Sequence, residues 1–141
     1  MELVVVILLL SILSVFAMGK LLGPDQFAAK GFFDDTRNAV RFAQKLAIST
    51  GCKVRVQTTT SSYALHQSST CIAGDFTLPV KNPANRSNDY QNASLPSGFT
   101  LTATAATIVF NARGTLVSGA NNTFSVGPYI FTVYGQTGLV D

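Results

Sequence analysis

The side chains able to do chemistry are few and scattered. His66 is the single histidine, and Cys52 and Cys71 are the only thiols. The aspartates Asp25, Asp34, Asp35, Asp75 and Asp89 fall where helix starts and loops are expected, and His66 falls mid-strand. A general acid–base pair or an activated nucleophile needs such groups clustered. No GxSxG, phosphate loop or dinucleotide fingerprint occurs. Structural zinc takes about four Cys/His ligands, so no metal is expected and no cofactor is implied. These residues do not make an enzyme. The cations are better ordered. Arg37, Arg41 and Lys45 recur at i, i+4 and i+8, one stripe of a helix, with Lys53 and Arg55 following. Such a stripe is either a solvated outer face or a nucleic-acid contact whose affinity would fall steeply with salt. A net charge of +3 does not by itself argue for nucleic acid.

The two cysteines bracket alternating segments, Lys53 to Thr59 and Tyr63 to Gln67. With a two-residue turn at Ser61-Ser62, position i pairs with 123 − i, which sets Cys52 opposite Cys71. Directly paired Cα atoms lie about 5.5 Å apart, a separation a disulfide tolerates. Closing that loop would stabilise the fold by roughly 3 kcal/mol in the chain-entropy model, and implies the periplasm or cell exterior.

The elements that carry these residues follow from composition. The 141 residues suffice for one domain, and they are 47% hydrophobic but only 12% charged. Much of the excess lies in Leu3 to Met18, apolar except for Ser11 and Ser14. A helix apolar on all sides is buried in protein or lipid, and with Leu21 and Leu22 it approaches the ~20 residues of a membrane span. Three readings compete. A signal peptide has a passable cleavage site at Val15-Phe16-Ala17, but carries Glu2 where a cation belongs. A plain anchor would draw the Lys20 flank into the cytoplasm, the wrong side for a disulfide. An acid at the edge of an apolar helix points instead to a function and a partner.

This third reading rests on a resemblance. Glu2-Leu3-Val4-Val5-Val6-Ile7 resembles the type IV pilin N-terminus, of the form Gly-Phe-Thr-Leu-x-Glu-Leu-Val-Val-Val, with Met1 at the variable position. The resemblance implies that Glu2 pairs with a neighbouring subunit's N-terminal amine during assembly, with Leu3, Val4, Val5 and Val6 at the subunit contact. It also implies a prepilin peptidase and N-terminal methylation. The leader and the Gly-Phe-Thr-Leu step are missing here, so the chain is expected to begin at an internal methionine or to be a fragment.

Gly23-Pro24 interrupts the first helix, and Asp25 restarts it. Phe32, Phe33, Ala39, Val40, Ala43, Leu46 and Ala47 recur at helical spacing up to a stop at Gly51. Phe76 to Val80 reads as a strand, and Lys81 to Gly98 as a long surface loop. The remainder reads as strands at Phe99–Thr104, Thr107–Asn111, Thr115–Ser118, Thr123–Val126 and Tyr129–Tyr134, with a hairpin turn at Asn111-Ala112-Arg113-Gly114.

The expected fold class is α+β. A long hydrophobic N-terminal helix (residues 1–22) leads into a periplasmic domain (23–141) in which an amphipathic helix packs on antiparallel sheet. The basic stripe, early hairpin, Phe-Asn-Ala-Arg-Gly turn and closing Ile130 to Gly135 segment resemble the GspH/FimT group of minor pilins and pseudopilins. That group includes components of type II secretion and of mannose-sensitive haemagglutinin pili. The resemblance implies a structural filament subunit, held in the inner membrane before assembly, whose partners are other pilins. DNA is the second partner reading. Some members of the group bind it through a C-terminal Gly-Arg-x-Arg, whereas Gln136 to Asp141 contains no arginine. A secreted adhesive domain released by signal peptidase is the third reading.

Overall fold

The computed structural model describes residues 2–21, 23–71 and 74–141, the side chains of residue 2 and of 13–21 excepted. Helix α1 spans Glu2–Leu21 and α2 spans Pro24–Thr50. Between them Gly23 is extended (φ −58°, ψ 147°), and Pro24 starts α2 where its missing N–H leaves no bond unmade. Gly51 ends α2 in the left-handed conformation (φ 70°), its N–H closing on the Ala47 carbonyl.

Two antiparallel sheets follow. The first holds β1 (Val54–Thr58), β2 (Tyr63–Gln67), β3 (Leu78–Pro79), β4 (Gln91–Asn92) and β6 (Thr107–Phe110), in the order β3-β2-β1-β6 with β4 also on β2. The second holds β5 (Leu101–Ala103), β7 (Asn122–Val126) and β8 (Tyr129–Val133), in the order β5-β7-β8. Helix α2 lies against both, through β1, β2, β6, β7 and β8. Its buried face combines Ala29, Ala39, Ala43 and Ala47, none of them exposed, with Phe32, Phe33 and Val40. The alanines let the backbone approach the sheets and the phenylalanines fill what remains. Phe32 meets Tyr63 with ring centroids 5.8 Å apart, and Phe33 meets Tyr129 and Phe131, each at 5.5 Å. Tilted and edge-on aromatic pairs of this kind add about 1 kcal/mol each beyond the area they bury.

One acid serves the core. Asp35 accepts a hydrogen bond from the Tyr63 hydroxyl and another from Asn92 Nδ2 at 2.7 Å, joining α2 to β2 and β4. Burial, reinforced by the adjacent Asp35 carboxylate, pushes the Tyr63 hydroxyl pKa upward, so it stays protonated as a donor. At the opposite end of α2, Gln44 Nε2 donates to the Gly114 carbonyl (3.1 Å), and Arg41 Nη2 to the Val140 carbonyl (3.0 Å). The C-terminal segment is thereby held against α2 while it pairs along β8: Thr132 and Asp141 exchange backbone bonds of 3.1 and 2.9 Å.

Several expectations need correction. The Cys52–Cys71 disulfide forms, with Cα atoms 4.1 Å apart, but not by the expected register. The turn lies one residue earlier, at Thr60-Ser61, because the Thr59 hydroxyl accepts the N–H groups of Ser61 and Ser62 (3.3 and 3.0 Å). The strands therefore pair as Val54↔Gln67 through Thr58↔Tyr63, which leaves Ser69 opposite Cys52. The chain doubles back through Cys71, which has a positive φ of 62°, to bring its sulfur to Cys52.

The 81–98 stretch is not merely a surface loop. Lys81 pairs with Asp89 by a backbone bridge and a 2.6 Å ion pair, Tyr90 enters the core against Phe42 and Tyr63, and Gln91–Asn92 extends the sheet. The strand expected at Thr115–Ser118 reduces to one bridge, Phe110↔Leu116, and that expected at Phe76–Val80 to Leu78–Pro79. The Asn111–Gly114 turn stands as read, with Gly114 at φ 78°.

Beyond the disulfide, Asp75 accepts bonds from Ser68 Oγ (2.9 Å) and from the Ser69 N–H (3.0 Å) and hydroxyl. The Ser69 hydroxyl above all holds its pKa down at about 2. Because that folded value lies below the ordinary carboxylate value, Asp75 stabilises the fold fully above roughly pH 4, and the contribution is lost as pH falls through about 2. Thermal denaturation followed against pH should therefore show a shallower acid loss between pH 5 and 2 in Asp75→Asn than in wild type, and an unchanged acid limb would contradict the assignment.

A second expectation concerns two left-handed glycines. Gly51 (φ 70°) has open space where a Cβ would go, so Gly51→Ala should cost only the conformational ~1–2 kcal/mol. At Gly138 (φ 71°) a Cβ would overlap the Gly114 carbonyl, so Gly138→Ala should cost more than about 3 kcal/mol. Denaturant titration of the two variants checks the order.

Candidate assembly surfaces

Helix α1 presents apolar side chains on every side. Leu3, Val4, Val5, Val6, Ile7, Leu8, Leu9, Leu10 and Ile12 are each between 50% and 72% exposed. Covering nine half-bare aliphatic side chains is worth on the order of 10 kcal/mol. Monomeric soluble proteins rarely leave so large an apolar patch uncovered. Ser11, the one polar residue in the described stretch, turns its hydroxyl onto the Leu8 carbonyl at 2.8 Å, so it adds no demand for water. Glu2 begins the helix at the end where the backbone dipole favours an acid. Among the described residues no helix is long and apolar enough to cross a membrane.

The five cations do not form one surface. Arg37, Arg41 and Lys45 do share a flank of α2, but Arg41 is engaged with Val140, and Arg37 is half-buried beside Phe33 and β8. Lys53 stands half-buried ahead of β1. Arg55 alternates with the buried Val54 and Val56, so it points from the sheet face away from α2. There its guanidinium lies 5.1 Å from the Phe76 ring centroid, beside its cross-strand partner His66. Burial, with the Arg55 charge adding to it, pushes the His66 pKa down. The described residues hold no cluster of three or more metal-ligating side chains.

A groove of about 460 Å³ runs between α2 and β8 and is walled by Phe33, Arg37, Tyr129, Phe131, Tyr134 and Asp141. Sequence reading placed Arg37 on a helix stripe and did not foresee the groove, nor the roles of Asp35 and Gln44 as ties between α2 and the sheets. The available signal was position: Asp35 and Gln44 are polar residues flanking the apolar stripe rather than opposite it.

Two known proteins share this arrangement. The structure superposes on the type IV minor pilin FimU of Pseudomonas aeruginosa with a TM-score of 0.57, at 16% identity over 89% of this chain and 90% of that one. A second crystal form of FimU gives 0.54 at 15% identity, covering 82% and 90%. The minor pseudopilin EpsH of the Vibrio cholerae type 2 secretion system gives 0.56 at 15% identity, covering 84% and 95%. At such identities the likeness establishes the fold, an α+β pilin fold as expected from the sequence. No curated protein matches in sequence. The family model for the type II transport protein GspH matches residues 34–136, from mid-α2 past β8. Family and neighbours are structural pilins rather than enzymes. With nearly three-quarters of its length matched, the chain belongs to the GspH family, the minor pilins and pseudopilins of type IV pili and type II secretion.

Proposed function

We propose that the chain is a filament subunit assembled through α1: residues 1–22 lie in the inner membrane before extraction and in the filament core afterwards, and residues 23–141 face the periplasm and then the filament surface. The observation that carries this reading is α1 itself, an exposed helix apolar on all sides joined to a fully packed domain. Leu3, Val4, Val5 and Val6 supply the subunit contact. Glu2 meets the N-terminal amine of the neighbouring subunit, a pairing that offsets the cost of a carboxylate in apolar surroundings. Processing by a prepilin peptidase and methylation would generate that amine. The Cys52–Cys71 disulfide accords with an oxidising periplasm.

Replacing Glu2 with alanine should abolish incorporation into sheared filaments while leaving the protein in the membrane fraction at its usual level. Immunoblots of the two fractions, from cells expressing the gene with its upstream codons intact, make the test. Normal incorporation of Glu2→Ala refutes the proposed role.

A further inference from the structure

We propose that residues 74–79 form an acid-released latch on the outer face of the first sheet: protonation of His66 drives Phe76 off Arg55 and opens the segment to solvent. Such a latch belongs to the folded domain and operates with or without filament assembly.

The costly local features of the domain meet at this place. Among the described residues, only Cys71 (φ 62°) and Phe76 (φ 43°) hold a positive φ without being glycine. A side chain disfavours that conformation, which persists where the surroundings impose it. Phe76 sets its ring centroid 5.1 Å from Arg55 Cζ. Arg55 and His66 are direct cross-strand partners, so both stand on the face away from α2. Arg55 Nε and His66 Nδ1 are shut away from solvent with no hydrogen-bond partner among the described residues. Each has lost water and gained no replacement. Against these costs stand the Asp75 bonds to Ser68 and Ser69, the contact of Arg55 with Phe76, and the short β2–β3 ladder. The Cys52–Cys71 disulfide anchors the chain just ahead of the segment, so opening is local.

His66 is the group in this set that titrates near neutrality. The charged groups facing it are Arg55 on β1 and Asp89, whereas β3 contributes only Leu78 and Pro79. Asp89 is already paired with Lys81 at 2.6 Å. Burial first, and the Arg55 charge second, lower the His66 pKa, and Asp89 offsets them only in part. A proton therefore binds more weakly under the latch than in solvent, and acid favours the open form. The closed form keeps its full advantage above about pH 6.5, the ordinary imidazole value, and loses it as pH falls through the lowered His66 value. The imidazolium formed there carries a second N–H and a charge beside Arg55, and water serves both better than the closed face does. Asp75, with its pKa held at about 2, stays ionised across this range, so its bonds do not change.

Hydrogen exchange of the full chain in detergent, corrected for the intrinsic pH dependence of amide exchange, gives the opening constant of 74–79. In wild type that constant should rise about threefold or more between pH 7.5 and pH 5. In His66→Gln, which carries no charge at either pH, it should stay the same. Phe76→Ala removes the cover and should move the His66 pKa up towards its ordinary value, read from the imidazole proton resonances. An opening constant in wild type that does not change with pH overturns the latch. So does an equal pH dependence in His66→Gln, or a His66 pKa that Phe76→Ala leaves in place.

Discussion

The close approach of α2 to two separate sheets is the constraint on which the domain depends. Among the described residues the strands of the two sheets share no ladder, and one helical face spans both. That face succeeds because four alanines admit the backbones and two adjacent phenylalanines diverge: Phe32 to Tyr63 of the first sheet, and Phe33 to Tyr129 and Phe131 of the second. Polar ties then fix the helix along its length, with Asp35 near one end and Arg41 and Gln44 towards the other.

The two helices thus have opposite requirements. In α2 the apolar residues form one stripe and are satisfied within the chain. In α1 the described apolar side chains, Leu3 to Ile12, surround the axis and stand exposed. Gly23-Pro24 separates the two regimes at the residues least able to continue a helix. The domain can therefore complete its core without drawing on the apolar surface of α1.

Much of this was legible in the sequence. The apolar run, the Gly-Pro break, the stripe of α2 from Phe32 to Ala47 and the Gly51 stop all rest on local chemistry, and all appear in the fold. The hairpin was legible as a pair of strands but not in its register. Thr60-Ser61 and Ser61-Ser62 are equally good turns by composition, and only the Thr59 hydroxyl, bonding to two N–H groups, selects the first. The strand at Gln91–Asn92 and the burial of Tyr90 were hidden for a similar reason. They are imposed by Asp35 and β2, partners distant in the chain, within a segment whose polar composition reads as loop. The groove beside Arg37 is a product of tertiary packing alone, and a stripe of cations on a helix gives no sign of which one will lie beneath a strand edge.

The fastening of the C-terminal segment bears on how the protein is made. Arg41 and Val140 lie 99 residues apart in the chain, and Gln44 reaches both Gly114 and Thr137, 70 and 93 residues away. Contacts of such span close late, because the loops between them must be ordered first. Before Gly114, Thr137 and Val140 are in place, the two donors on α2 lack these acceptors. Loss of the 137–140 segment would leave Arg41 without its carbonyl acceptor and remove one of the two that Gln44 reaches.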